Sequence, residues 1–171
     1  MQLDEALRGR RSIRRFAPPA VTRDTLERLV GSARWAPTAG NMQAWRFVVV
    51  TSEAVLRQLR MVAPGLMGAP PALIIVCEDD EEATSRAGAN GVYLSRMDAA
   101  MAAYAITLEA YSRRLGTCIV ASFNAAAVRF LLQLPDNVTP VLIISVGYPA
   151  VSPRAPSRRT DNVIFMEASD A

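Results

Sequence analysis

The stretch from Gly91 to Leu115 constrains this chain more than any other. It reads as one long helix, entered through the turn Gly88-Ala89-Asn90-Gly91 and closed by Gly116 as the glycine just past its end. Its middle, Asp98 to Ala110, is mostly Ala, Met, Ile and Leu, with apolar residues on more than one face. A helix apolar nearly all round has to be buried on nearly all sides. A chain of 171 residues makes a single domain, 1–171, long enough to bury a real core. In a chain this small, the helix is expected to pack against a partner subunit as well as its own core. Composition agrees. Apolar residues are 51% but aromatic ones only 6%, so the excess is Ala, Val, Leu, Ile and Met, the residues of close-packed helices or a buried interface.

The remaining pattern mixes strands and helices. Leu3 to Leu7 fit a short helix, and Ala17-Pro18-Pro19 break the chain after it. Leu26, Leu29, Val30 and Ala33 then mark a helix with Thr22 as its N-cap. That helix ends before Pro37, because the residue preceding a proline is pushed out of the helical region. Phe47 to Thr51 reads as a strand and Glu53 to Val62 as a short amphipathic helix. Pro70-Pro71 turn the chain into a buried strand, Ala72 to Cys77, which leaves through Glu78 to Glu82 as a solvated acidic exit. Beyond the long helix, Thr117 to Ala121 reads as a strand, Asn124 caps a helix through Leu132, and Pro140 to Val146 is another buried strand. Residues 150–171 form a Pro-, Ser- and Arg-rich arm with one strand-like run, Val163 to Met166. The class is α+β, with four or five strands covered by helices.

Several chemistries are excluded. There is no His, which removes His general bases, His metal ligands and Ser-His-Asp triads together. Cys77 and Cys118 stand far apart in apolar runs without C-x-x-C spacing, so they read as reduced buried thiols. Scattered Asp and Glu offer no metal spacing, and there is neither a G-x-G-x-x-G turn after a strand nor a G-x-x-x-x-G-K-[ST] loop. The net charge of +3 is too small an excess to argue for nucleic acid. No apolar run reaches the roughly 18 residues of a membrane span, and no apolar leader opens the chain. The chain reads as soluble and cytoplasmic. All 19 basic residues are Arg, so any anion site is built of guanidinium forks, which suit phosphate bidentately.

Three segments carry candidate chemistry. Arg10, Arg11, Ser12 and Arg14, with Arg15 beside them, place guanidinium groups and a hydroxyl where they can converge on one anion. Pro37, Thr38, Asn41, Gln43 and Trp45 form a turn whose amides carry both donor and acceptor, as reading a heterocycle edge requires. Arg158-Arg159 add a basic doublet in the arm. Taken singly, a solvated basic loop, a plain turn into a strand and a solvated tail account for them better. Asp98, alone among apolar neighbours, is a buried hydrogen-bonded carboxylate at least as readily as a catalytic one.

Order and spacing decide between these readings. Arg-Arg-Ser-Ile-Arg-Arg-Phe near the start, a helix, then Ala-Pro-Thr-Ala-Gly-Asn-Met-Gln-Ala-Trp entering a strand, resembles the opening of the nitroreductase family of FMN proteins. Asp98 with its Ala-rich helix, Arg114 to Cys118, Val141 to Pro149 and Ser157-Arg158-Arg159 extend the resemblance over nearly the whole chain. It implies a three-layer fold with a central, mostly antiparallel sheet of four or five strands between helices, in an intertwined homodimer with two flavin sites at the interface. It assigns Arg10, Ser12 and Arg14 to flavin binding, with Arg11 beside them, and one of Arg158 and Arg159 to the phosphate. Pro37, Thr38 and Asn41, followed by Gln43, would come from the other subunit to the same flavin.

The activity implied is that of an NAD(P)H:acceptor oxidoreductase with tightly bound FMN. Hydride from NAD(P)H would pass by a ping-pong mechanism to a nitroaromatic, quinone or similar electron-poor small molecule, with Arg14 tuning the flavin and no side-chain general base. Ala44 stands where the family usually has Pro, and Thr38 where Ser is common. Only Glu78 to Asn90 fills an interval that carries an extra helical excursion in many relatives, which bears on substrate choice. The alternatives are a flavin-binding protein with specialised or little NAD(P)H turnover, in storage, sensing, dehalogenation or flavin modification, and a basic module that binds acidic partners.

Overall fold

The computed structural model describes residues 2–164 and 166. Its strands are β1 (Phe16–Ala17), β2 (Trp45–Val50), β3 (Ala72–Asp79), β4 (Gly116–Val120) and β5 (Val138–Pro149). Its helices are α1 (Leu3–Gly9), α2 (Arg23–Ala33), α3 (Glu53–Val62), α4 (Asp80–Ala87), α5 (Gly91–Ser112) and α6 (Ala125–Leu131). The sheet is antiparallel in the order β2-β3-β5-β4, and β1 pairs the far end of β5, Phe16 opposite Pro149. The expected α+β class and five-stranded sheet are both found.

Strand β3 shows why three layers form. Every residue of it is buried, as befits a strand covered on both faces. Its side chains alternate with the period of two that a pleated strand imposes. Ala72, Ile74 and Val76 join Leu26, Leu29, Ala102 and Ile106 from α2 and α5. Leu73, Ile75 and Cys77 join Leu56 and Leu59 of α3 and Val128 of α6 on the opposite side. Both Cys77 and Cys118 are free thiols in this core. Thr22 and Asn124 cap α2 and α6 as their types require, accepting from the Thr25 and Ala127 amides at 3.3 and 3.0 Å.

The long helix resolves into two faces. Ala99, Ala102, Ala103, Ile106 and Ala110 are buried, their small side chains letting α5 lie close to the sheet and α2. On the other face Met97, Met101 and Tyr104 are 43, 40 and 40% exposed, although their side chains are largely apolar. They stand three or four residues apart, in one stripe.

Four sequence expectations are corrected. Glu78 to Glu82 is not a solvated exit: Glu78 and Asp79 are buried at the end of β3, and Asp80 begins α4. Gly116 is not the glycine that closes α5. The helix ends at Ser112, Arg114 takes the left-handed position (φ 60°), and Gly116 opens β4. Val163, Ile164 and Met166 belong to no strand, and Phe165 lies outside the described residues. Ala17, read with Pro18-Pro19 as a chain break, forms a strand with Phe16. No helix among the described residues is long and apolar enough to cross a membrane.

Candidate functional site

The first candidate segment is held in place by two glycines. At Gly9, where α1 ends, a Cβ would collide with the Tyr111 hydroxyl of α5. At Gly116 a Cβ would meet three atoms of the Ile13 side chain at 2.6–2.8 Å. With these side chains missing, residues 10–14 lie along the start of β4. The Ile13 N–H donates to the Thr117 carbonyl at 2.8 Å, and Ser12 bridges Thr117 in parallel.

This placement opens a cavity of about 560 Å³ lined by Arg10, Arg11, Ile13, Arg114, Thr117 and Glu5, among others. Arg11 Nη1 donates to the Arg8 and Arg10 carbonyls at 2.6 and 2.8 Å, which orients its guanidinium. Arg10 stacks on Tyr104, 5.8 Å from the ring centroid, while its Nε–H is buried without a partner among the described residues. A buried donor lacking an acceptor is costly, so a guanidinium in that state is set up for an anion. Arg14 is exposed just beyond, its carbonyl packed so closely on Gly68 (φ 74°) that no Cβ fits there.

The second segment is a strained turn. Ala39–Asn41 form a single 3-10 turn, and Gly40, Asn41 and Gln43 all take left-handed φ values of 54–55°. For Gln43 that conformation costs free energy, and such strain gathers at binding sites. Gln43 Nε2 donates to Asn41 Oδ1 at 3.0 Å, and the Thr38 hydroxyl is buried without a partner among the described residues. The turn is anchored from α5: the Ala39 N–H donates to both carboxylate oxygens of Asp98, at 3.2 and 3.1 Å. Asp98 is buried, and burial pushes its carboxyl above the usual range, against the pull of the Ala39 N–H.

A polar network supports the strand that follows. Arg46 Nη2 bridges Asp79 at 2.8 Å and Glu82 at 2.7 Å, and Asn137 donates to Asp79 at 2.9 Å. Burial works to raise the Asp79 carboxyl, but the Glu82 N–H, Asn137 and Arg46 outweigh it and hold the group below its ordinary value. Glu78, beside Trp45 in the ladder, is paired with Arg96 yet lifted by its burial.

The structure thus gathers Arg10 and Arg11 at one cavity, with Ser12 and Arg14 next along the chain. It does not bring the turn to them. Pro37 instead lines a second, apolar groove with Trp35, Met101 and Tyr104, and Trp35 is 90% exposed there. Tyr104 touches both places, under Arg10 on one side and in the groove on the other. Arg158 and Arg159 are exposed and line neither, and Arg159 is tied to Asp161 by two contacts of 3.1 Å. Arg114 and Thr117, which the sequence reading passed over as site residues, line the cavity because the end of α5 folds back onto residues 10–13. An Arg where a helix end favours Gly was the available signal.

Comparison with known proteins places these features in a family. The nitroreductase family model matches residues 7–63 and 60–148. The chain is 30% identical to the NADH dehydrogenase of Thermus thermophilus, covering 82% of this chain and 83% of that one. It is 27% identical to the 5,6-dimethylbenzimidazole synthase of Rhodospirillum rubrum, over 86% and 82%. Among solved structures, an FMN-dependent nitroreductase from Clostridium difficile superposes with a TM-score of 0.84 at 25% identity, covering 97% of this chain and 100% of that one.

Proposed function

The chain belongs to the nitroreductase family, and on that premise we propose that it is an FMN-dependent oxidoreductase. It takes hydride from NAD(P)H and reduces a nitroaromatic, quinone or similar electron-poor acceptor. The observation that carries this reading is the arginine-lined cavity with the buried, unpartnered Nε of Arg10. The donor set fits a phosphorylated flavin: guanidinium groups for the phosphate, and hydroxyl and amide groups for the polar edge. Bound flavin supplies the two-electron chemistry, and the protein supplies position and field.

In this reading Arg10, Arg11 and Ser12 hold the phosphate. Arg158 joins them from the arm in preference to Arg159, which Asp161 already engages. Arg14, exposed just beyond the cavity, would supply positive charge to stabilise a bound flavin when it is reduced. Pro37, Thr38, Asn41 and Gln43 would serve the flavin of a second subunit, a reading supported by their absence from the lining of the Arg10 cavity within one chain. The homodimer is supported by the exposed stripe of Met97, Met101 and Tyr104 with Trp35 beside it, an apolar area a lone chain leaves wet. Reduced, buried thiols suit a cytoplasmic enzyme.

The test is an absorbance spectrum and FMN titration of the purified protein, then mixing with NADH or NADPH. Uptake of FMN and bleaching by a nicotinamide are expected, whereas a colourless protein that takes up no FMN would end the proposal. Arg14→Ala should lower the flavin potential more than it weakens binding, and an unchanged potential would remove Arg14 from that role. A second reading, specialised flavin chemistry, is favoured by the short interval between β3 and α5. There α4 packs so closely that a Cβ on Gly91 would strike the Ala83 carbonyl. FMN that binds but is reduced by neither nicotinamide would mark that alternative.

A further inference from the structure

The end of α5 carries a residue that its own geometry disfavours. The Leu115 N–H donates to the Ala110 carbonyl at 2.9 Å and the Arg114 N–H to the Tyr111 carbonyl at 3.0 Å. These are the two bonds of a Schellman motif, whose left-handed position is normally glycine. Here it is Arg114, at φ 60°. Helix capping does not explain the choice, because glycine would make the same bonds with less strain. Pairing does not explain it either. Arg113 next to it is bound to Glu109 at 2.7 Å, whereas Arg114 has no ion pair or side-chain hydrogen bond among the described residues.

What Arg114 does have is the cavity. It lines the same space as Arg10 and Arg11, and Glu5 is the acid among the lining residues, so three positive groups face one negative group. The surplus of two matches a phosphomonoester, which carries about −1.5 to −2 near neutral pH. We propose that Arg114 is a ligand for a phosphomonoester dianion, placed in a strained backbone position because a glycine there would leave the cavity one guanidinium short. This rests on the flavin-enzyme reading, which offers two such groups, the 5′-phosphate of FMN and the 2′-phosphate of NADPH.

Arg114→Gly separates binding from folding, since it relieves the left-handed strain. Its melting temperature should equal or exceed that of the wild type. If the flavin phosphate is the ligand, FMN affinity falls about tenfold while riboflavin affinity holds. If the 2′-phosphate of NADPH is the ligand, the KM for NADPH rises by a similar factor against that for NADH, with FMN affinity unchanged. Arg114→Lys, which keeps both the charge and the strain, should retain part of the preference. A glycine variant in which neither ratio moves overturns the proposal while leaving the flavin reading intact. Wild-type protein that binds no FMN overturns both.

Discussion

Asp98 offers the most direct test of how the core governs the candidate site. Its carboxylate is the acceptor for the Ala39 N–H, and through that contact α5 holds the turn bearing Thr38, Asn41 and Gln43. Asp98→Ala leaves that amide without an acceptor, at a cost of about 1–3 kcal/mol. For a domain of this size, roughly 2 kcal/mol lowers the melting temperature by about 4–8 °C. Asp98→Asn keeps one acceptor oxygen for that amide, so it should melt above Asp98→Ala near neutral pH. The pH dependence has a definite sign. Burial raises the folded-state pKa of Asp98 above its unfolded value, so its contribution is full below the unfolded value and is lost as pH rises through the folded one. The stability advantage of wild type over Asp98→Asn should therefore be largest at acid pH and shrink towards neutrality. Urea unfolding of the wild type and both variants from pH 4 to pH 7 measures this, with FMN titration as the functional readout. An alanine variant that unfolds with the wild type and takes up FMN equally well would refute the coupling. An advantage that does not vary with pH would refute the electrostatic part.

Gly116→Ala should cost about 1–3 kcal/mol, because its Cβ meets Ile13 on the segment that carries the arginines; a melting curve superimposable on the wild type would show that residues 10–14 yield freely. Met101→Asp puts a charge in the apolar stripe of α5 and should shift the protein to monomers with loss of FMN, read by light scattering and absorbance; a flavin-loaded monomer would disprove the shared site. Burial, with Glu78 beside it, pushes the Cys77 thiol up to about 12, so a thiol reagent should leave it untouched at pH 8 until the protein is denatured, and prompt labelling of the native protein would contradict that.

Much of this protein was legible in one dimension. The unbroken apolar run Ala72 to Cys77 and the Thr22 and Asn124 caps are local signals. Each was read correctly, because period, capping and burial follow from neighbouring residues. The misread elements depended on distant partners. Glu78 and Asp79 look solvated until Arg96, Arg46 and Asn137 arrive to compensate their burial. Gly116 looks like a helix terminator until Ile13 packs on it. Phe16–Ala17 is a strand only because the end of β5 lies beside it.

The candidate site divides in the same way. Sequence by itself determined the kinds of group available, guanidinium forks and amides with no His, and their order along the chain, which identifies the family. Only the tertiary structure decided which groups face one space. It set Arg10 and Arg11 against Arg114 from the far end of α5, and turned Pro37 towards an apolar groove instead. It also left one face of α5 open. The physical reason is that composition and period are local properties of the chain. Convergence on an anion is a property of packing, set by close contacts between residues as far apart in sequence as Ile13 and Gly116.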